Sequence, residues 1–174
     1  MSITIAGYFR YRVPAQFIFG IAGGIITVER PCGWGQMVKD FELMEHTADV
    51  GIVAYGASIA EAFANAGRAL FSLITEPDDI NETEYRDIEV TAPDRESLLV
   101  AWLNELIFLF DAEGMLFKRF DITDLSTTRL KAGAYGEVAD SSRHSLKIGV
   151  KAATYHMLEV DSSNGSRVRV LFDI

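Results

Sequence analysis

The stretch VGIVAYGASIAEAFANAGRALFSLI, residues 50–74, decides how the chain folds. Residues 50–55 are mostly β-branched, aromatic or small, and Gly56 closes them, so a strand is predicted there. Ser58 and Glu61 follow at capping-box spacing, in which each side chain satisfies the other residue's free amide. Behind the box Ile59, Ala62, Phe63, Ala66, Leu70, Leu73 and Ile74 recur at helical spacing, and Pro77 stops the run. A strand turning at once into a capped amphipathic helix means an α/β-mixed domain. The apolar stripe reads as core, not as a cofactor cradle.

Working outward, residues 39–45 read as a short strand leading into His46-Thr47-Ala48-Asp49. In residues 82–92, Ile88, Val90 and Ala92 alternate, a strand with one wet face. Asp94 is placed to cap a second helix reaching Phe110, with Leu98, Leu99, Trp102, Leu103, Leu106, Ile107 and Phe110 on one stripe. Glu105 falls about 115° from the centre of that stripe, so its carboxylate is expected at a rim, half covered and reachable. Gly114 ends the helix. Residues 115–122 and 125–138 read as strands, the second weakened by Gly133 and Gly136.

The last third is strand-rich. Leu146, Ile148, Val150 and Ala152 alternate with Lys147, Gly149, Lys151 and Ala153, which predicts a strand with both lysines turned from the core. Asn164-Gly165 marks a hairpin. A three-residue loop, Asn164-Gly165-Ser166, sets Val160 against Val170, Leu158 against Phe172 and Asp161 against Arg169. A two-residue loop matches apolar partners less well. Either way Arg167, Arg169 and Asp173 share one face. The order is therefore strand, strand, helix, strand, helix, then strands to the end.

The chain has 174 residues, 49% hydrophobic and 24% charged, enough to fill one core. Its net charge of −9 argues against unaided nucleic-acid binding, which needs a dense cationic patch. A single cysteine, Cys32, removes any disulfide framework and any CxxC zinc site, so a reduced, cytoplasmic setting is expected. The charge is uneven. Residues 1–36 hold Arg10, Arg12, Arg30 and one acid, Glu29, around an apolar run from Val13 to Val28. No small-x-small cleavage site follows it, and Pro14, Gln16 and Gly23-Gly24 suit a membrane helix poorly. Translation beginning at Met37 is the reading the sequence favours, because Gly33-Trp34-Gly35 requires a G-rich coding run there, as a ribosome-binding site does. An unstructured tail and an extra strand are the alternatives. The expected organisation is an extension over 1–36 and a domain over 37–174.

Chemistry by residue type is sparse. His46, His144 and His156 show no HExxH spacing, and no GxSxG elbow or phosphate-binding glycine loop is present. Carboxylates remain. Asp49 sits at a strand boundary, where it is either a turn residue or a ligand for a hard cation. Asp173 and the free carboxylate expected on Ile174 put two anionic groups side by side, either a solvated tail or further ligands.

These same residues carry a resemblance. Glu45-His46-Thr47-Ala48-Asp49-Val50-Gly51, Ala54-Tyr55-Gly56, and Glu61-Ala62-Phe63 with Ala66 resemble the archease family closely. So do Leu98-Leu99 to Trp102-Leu103-Asn104-Glu105-Leu106, Val150-Lys151-Ala152-Ala153-Thr154-Tyr155-His156 and Phe172-Asp173-Ile174. The likeness runs from about Met37 to Ile174. It implies an α+β fold of antiparallel sheet layers with two amphipathic helices. It also implies a protein cofactor, not an enzyme: an activator of an RtcB-type RNA ligase in tRNA splicing, promoting guanylylation and multiple turnover. Tied to the resemblance are a divalent-metal site, calcium or magnesium, on Asp49, Asp173 and Ile174, and activation residues Glu105 and Lys151. His46, Tyr155 and His156 have supporting places, and His144 fits a family position without a role. Competing readings are a stand-alone metal-dependent hydrolase using Glu105 as base, and a general chaperone or adaptor.

Overall fold

The computed structural model describes residues 19–22, 25–28, 39–45, 50–163 and 165–174. The chain forms two units, Met1–Met37 and Val38–Ile174. In the first, β1 (Phe19–Ala22) and β2 (Ile25–Val28) make an antiparallel hairpin, with Phe19 opposite Val28 and Ala22 opposite Ile25. Two short strands thus fall within the apolar run of the extension. Its other residues lie outside the described ones, and so do His46 and Asp49.

The second unit runs β3 (Phe41–Glu45), β4 (Val50–Gly56), α1 (Ile59–Ile74), β5 (Glu84–Thr91), α2 (Arg95–Glu113), β6 (Met115–Leu125), β7 (Arg129–Val138), β8 (Ala152–Asp161) and β9 (Ser166–Asp173). One antiparallel sheet has the order β3-β4-β9-β8 and another the order β5-β7-β6. Each helix touches both sheets: α1 packs on β4 and β9 of the first and β6 of the second, and α2 on β8 and on β5, β6 and β7. The α+β class expected from the sequence is what the chain adopts.

The helix ends follow the sequence. Ser58 Oγ accepts from Glu61 N at 3.2 Å, while the Glu61 carboxylate accepts from Ala57 N at 2.7 Å, one residue before the expected partner. Asp94 Oδ1 accepts from Ser97 N at 2.7 Å, and Gly114 at φ 68° closes α2 in the left-handed region open to glycine. The second helix departs from a simple amphipathic pattern. Val100 is buried opposite Leu98, giving a buried arc of about 200° at 3.6 residues per turn. A helix held against two sheets needs that width. Trp102 meets Phe120 edge-on at 5.5 Å, and its Nε1 donates to Phe63 O at 3.2 Å, locking α2 to α1 and β6.

β7 runs through both Gly133 and Gly136: the Tyr85 ring covers the first, and the Leu116 main chain lies where a Cβ on the second would be, beside a register shift between Phe117 and Arg119. Two expectations are corrected. Residues 145–151 are not a strand. Lys147 N donates to Ile74 O at 2.8 Å and Thr75 Oγ1 to Ser145 O at 3.1 Å, so this strap follows the end of α1 and β8 begins only at Ala152. The hairpin register differs too. Val160 faces Val168 and Asp161 faces Arg167, and the four residues 162–165 join β8 to β9, with Asp161 Oδ1 accepting from Ser163 N at 2.8 Å. The shift is two residues, so each side chain keeps its face.

The strap is pinned at its start by His144, which is buried at 4% exposure. Asp140 N donates to its Nδ1 at 2.8 Å, which leaves Nε2 to donate to Glu137 Oε1 at 3.2 Å and Asp79 O at 3.3 Å. Glu137 also accepts from Asn81 N at 2.6 Å and from Arg143 at 2.6 Å. Burial pushes the Glu137 carboxyl up, but the bonds from Asn81 and Arg143 outweigh it and hold it down at about 2.

Candidate functional site at the Asp173 end of the four-stranded sheet

The strands converge here by register. Glu45 faces Val50 across β3–β4, Val50 faces Phe172 across β4–β9, and Phe172 faces Ala153 across β9–β8. The described neighbour of Asp49 is therefore paired with the residue before Asp173, although Asp49 and His46 themselves lie outside the described residues.

Lys151 closes the arrangement. Its main-chain N donates to Asp173 O at 2.8 Å, and its ammonium Nζ donates to Ile174 O at 2.8 Å. The strap that delivers Lys151 to this point is buried at Val150 and open at Lys151. Asp173 and Ile174 are exposed, and the Asp173 carboxylate accepts no hydrogen bond among the described residues.

Glu105 arrives from α2. It lies on the arc of the helix left outside the core, half-buried, as its angular position predicted. The residue before it does the positioning. Asn104 Oδ1 accepts from Ala153 N at 2.8 Å and its Nδ2 donates to Ala153 O at 3.5 Å, clamping α2 to β8 two residues from Lys151. This clamp was not singled out from the sequence. Its signal was an amide, poorly suited to a helix interior, beside apolar positions of α2.

Tyr155 and His156 occupy a break in β8. Between Thr154 facing Leu171 and Glu159 facing Arg169, β8 advances five residues while β9 advances two. The excess forms a bulge in which Met157 adopts φ 53° and Tyr155 is 64% exposed. Arg169 Nε donates to Met157 O at 3.0 Å and Arg169 also pairs with Glu159, fastening the bulge. Tyr155 and His156 are thus presented to solvent on the bulge, and neither forms a hydrogen bond with Lys151 or Ile174 among the described residues.

The oxygen donors here are of the hard type that Ca²⁺ and Mg²⁺ accept. Among the described residues no group of three His, Cys, Asp or Glu side chains converges on one point. A cation on Ile174 O would share that oxygen with the Lys151 ammonium. No helix among the described residues is long and apolar enough to cross a membrane.

The comparisons with known proteins agree with this architecture. The model of the Archease protein family (MTH1598/TM1083) matches residues 41–174. An archease of Methanosarcina mazei is 36% identical over 141 residues, covering 78% of this chain and 97% of that protein. One of Pyrococcus abyssi is 42% identical over 127 residues, covering 71% and 89%. The solution structure of Methanobacterium thermoautotrophicum protein 1598 superposes with a TM-score of 0.68 at 36% identity, over 79% of this chain and 100% of that one. A Thermotoga maritima crystal structure, described as an archease and possible chaperone, shares the fold with a TM-score of 0.53 at 22% identity, over 81% and 100%. By family model, by sequence and by fold, the chain belongs to the archease family.

Proposed function

We propose that this protein is a non-catalytic activator of an RtcB-type RNA ligase in tRNA splicing, raising ligase guanylylation and allowing multiple turnover. The observation that supports the reading is the Lys151–Ile174 contact at 2.8 Å beside an Asp173 carboxylate that accepts no hydrogen bond among the described residues, with Glu105 following Asn104, which is clamped to Ala153. These groups come from three elements and contribute nothing to the core. Glu105 and Asp173 have no side-chain partner among the described residues, and charged groups so placed at a rim suit a surface that meets a charged partner.

In this reading Asp49, Asp173 and Ile174 hold a divalent cation, calcium or magnesium, whose charge offsets their mutual repulsion. Lys151 sets the position of Ile174 O, and Glu105 and Lys151 face the ligase. His46, Tyr155 and His156 frame the contact. The tRNA is reached through the ligase, a reading supported by the net charge of −9, which argues against unaided nucleic-acid binding. The test is a ligation time course with the cognate ligase, GTP and excess RNA, with and without this protein. Acceleration beyond a single turnover is expected. Turnover of phosphoesters by the protein alone would favour a hydrolase, and aggregation suppression across unrelated clients would favour a chaperone.

A further inference from the structure

The bulge in β8 follows from the apolar pattern of that strand. Ala153 packs in the core, and beyond the bulge Leu158 and Val160 pack against it too. Residues on one face of a strand are an even number apart, yet Ala153 and Leu158 are separated by an odd one. Between Thr154 and Glu159, β8 advances five residues while β9 advances two. That odd excess is what returns Leu158 and Val160 to the face that Ala153 uses.

The excess residues are pushed outward. Tyr155, His156 and Met157 are exposed in succession, where a regular strand would turn every second side chain to the core. Met157 takes φ 53°, a left-handed conformation that any side chain other than glycine's enters at a cost. Such a backbone persists where its surroundings hold it.

Arg169 supplies the hold. Its Nε donates to Met157 O at 3.0 Å and its Nη2 pairs with Glu159 at 3.2 Å. One planar guanidinium thus spans the apex of the bulge and the residue at which β8 rejoins β9. Glu159 also pairs with Arg167, so its charge has a second partner. The bond to Met157 O is Arg169's own. At the other foot His156 N donates to Thr154 Oγ1 at 3.3 Å, a bond between neutral groups.

We infer that Arg169 is a positioning residue for the proposed activation: by fixing the Met157 backbone it sets the direction in which Tyr155 and His156 meet the ligase. The inference rests on that proposed function. Arg169 acts through the main chain it holds and not as a contact of its own.

Titration of ligase guanylylation with the wild type and its variants tests this, with amide spectra of each free protein recorded alongside. Arg169→Ala is expected to raise the half-maximal concentration about tenfold, the scale of one lost hydrogen bond from a charged group, and to leave maximal stimulation unchanged. Arg169→Lys, which keeps the charge without the fork, should fall between. The decisive variant joins Arg169→Ala to Met157→Gly. Glycine takes positive φ freely, so the bulge should survive without the guanidinium and most of the lost affinity should return. Met157→Gly alone should stimulate as the wild type does. The amides of Tyr155, His156 and Met157 should move in Arg169→Ala and move back in the double variant. If Arg169→Ala does not fold, Arg169→Lys with and without Met157→Gly carries the same comparison. Wild-type stimulation by Arg169→Ala would overturn the proposal, and so would bulge amides that stay in place. A loss that Met157→Gly leaves unrepaired would make the guanidinium itself the contact and overturn it as well. A wild type that does not stimulate the ligase would remove the proposed function and this role with it, while the amides still report whether Arg169 holds Met157.

Discussion

The outward face of the three-stranded sheet and the Asp173 end of the four-stranded sheet are both rich in charge, and they use it in opposite ways. On the first, Glu89 accepts from Arg129 at 2.7 Å and pairs with Lys131 at 3.1 Å. Arg119 pairs with Glu82 at 2.9 Å and with Asp121, and its guanidinium lies 3.6 Å from the centre of the Tyr135 ring. The Tyr85 hydroxyl donates to Asp87, a bond that pushes its phenol up to about 12 and keeps it a donor. At the Asp173 end, Glu105, Asp173 and the His156 ring have no side-chain partner among the described residues, and Lys151 reaches only a main-chain oxygen. Self-paired charge keeps a sheet face soluble and leaves little of that charge for another molecule. Charge without a partner of its own is available to another molecule.

The sharpest way to break this contrast is to remove charges from each face and compare activity with stability. Lys151→Ala and Glu105→Ala are each expected to cut stimulation of ligase guanylylation at least tenfold with RNA in excess. Both should melt within a few degrees of wild type, because neither side chain packs in the core. Arg129→Ala, from the self-paired face, should stimulate as the wild type does. Full stimulation by both site variants would show these residues to be solvated surface. The metal reading is tested beside it. Asp49→Ala and Asp173→Ala should each abolish stoichiometric Ca²⁺ or Mg²⁺ binding in a calorimetric titration while circular dichroism stays native. Unchanged affinity in either would remove that residue from the site.

Much of the fold was legible because its signals are local. The Ser58 and Asp94 caps, the Gly114 stop and the apolar spacing of α1 all act within a few residues. What was not legible depends on contacts distant in sequence. Alternation from Leu146 to Ala153 looks like a strand, but the amide of Lys147 goes to Ile74, more than seventy residues back, and the chain first meets β9 at Lys151, whose amide donates to Asp173 O. The β8–β9 register escaped for a like reason. Arg169 reaches Met157 O and stabilises an extra loop in β8 that no turn motif announces. Among site residues, Glu105's place at a rim followed from helix geometry alone. Lys151 meets Ile174 at the end of a strap whose start is held by His144, a residue whose part no spacing revealed.

That pin gives the next prediction. The Glu137 carboxyl, held at about 2 against an ordinary 4.5, is worth more to the folded chain as an anion. Its stabilisation is therefore fully present above 4.5 and is lost as pH falls through about 2. The contribution is about 2 kcal/mol once partial contact with water is discounted. Urea unfolding of wild type and Glu137→Gln should differ by this amount at neutral pH, with the gap narrowing progressively between 4.5 and 2. A constant difference across that range would mean that the residue acts by packing and not by charge.

The smallest effect is expected where pairing is most complete. Arg129 and then Lys131, by hydrogen bonds, lower the carboxyl of Glu89, so its ion pairs also weaken on acidification below the ordinary carboxylate range. All three side chains are nevertheless more than a third exposed, at 48%, 43% and 41%. Water screens such pairs, and holding long side chains in one geometry costs entropy that offsets most of the attraction. Glu89→Gln keeps an acceptor for Arg129 and leaves the register of β5 and β7 untouched, since that register is set by main-chain bonds and by Ile88 against Ala132 in the core. Its melting midpoint should move by no more than about 2 °C. Stimulation of the ligase should be unaltered, and raising the salt should erase what difference remains. If Glu89→Gln instead lowered stimulation as Lys151→Ala does, the self-paired face would also be a partner surface, and the division between the two faces would fail.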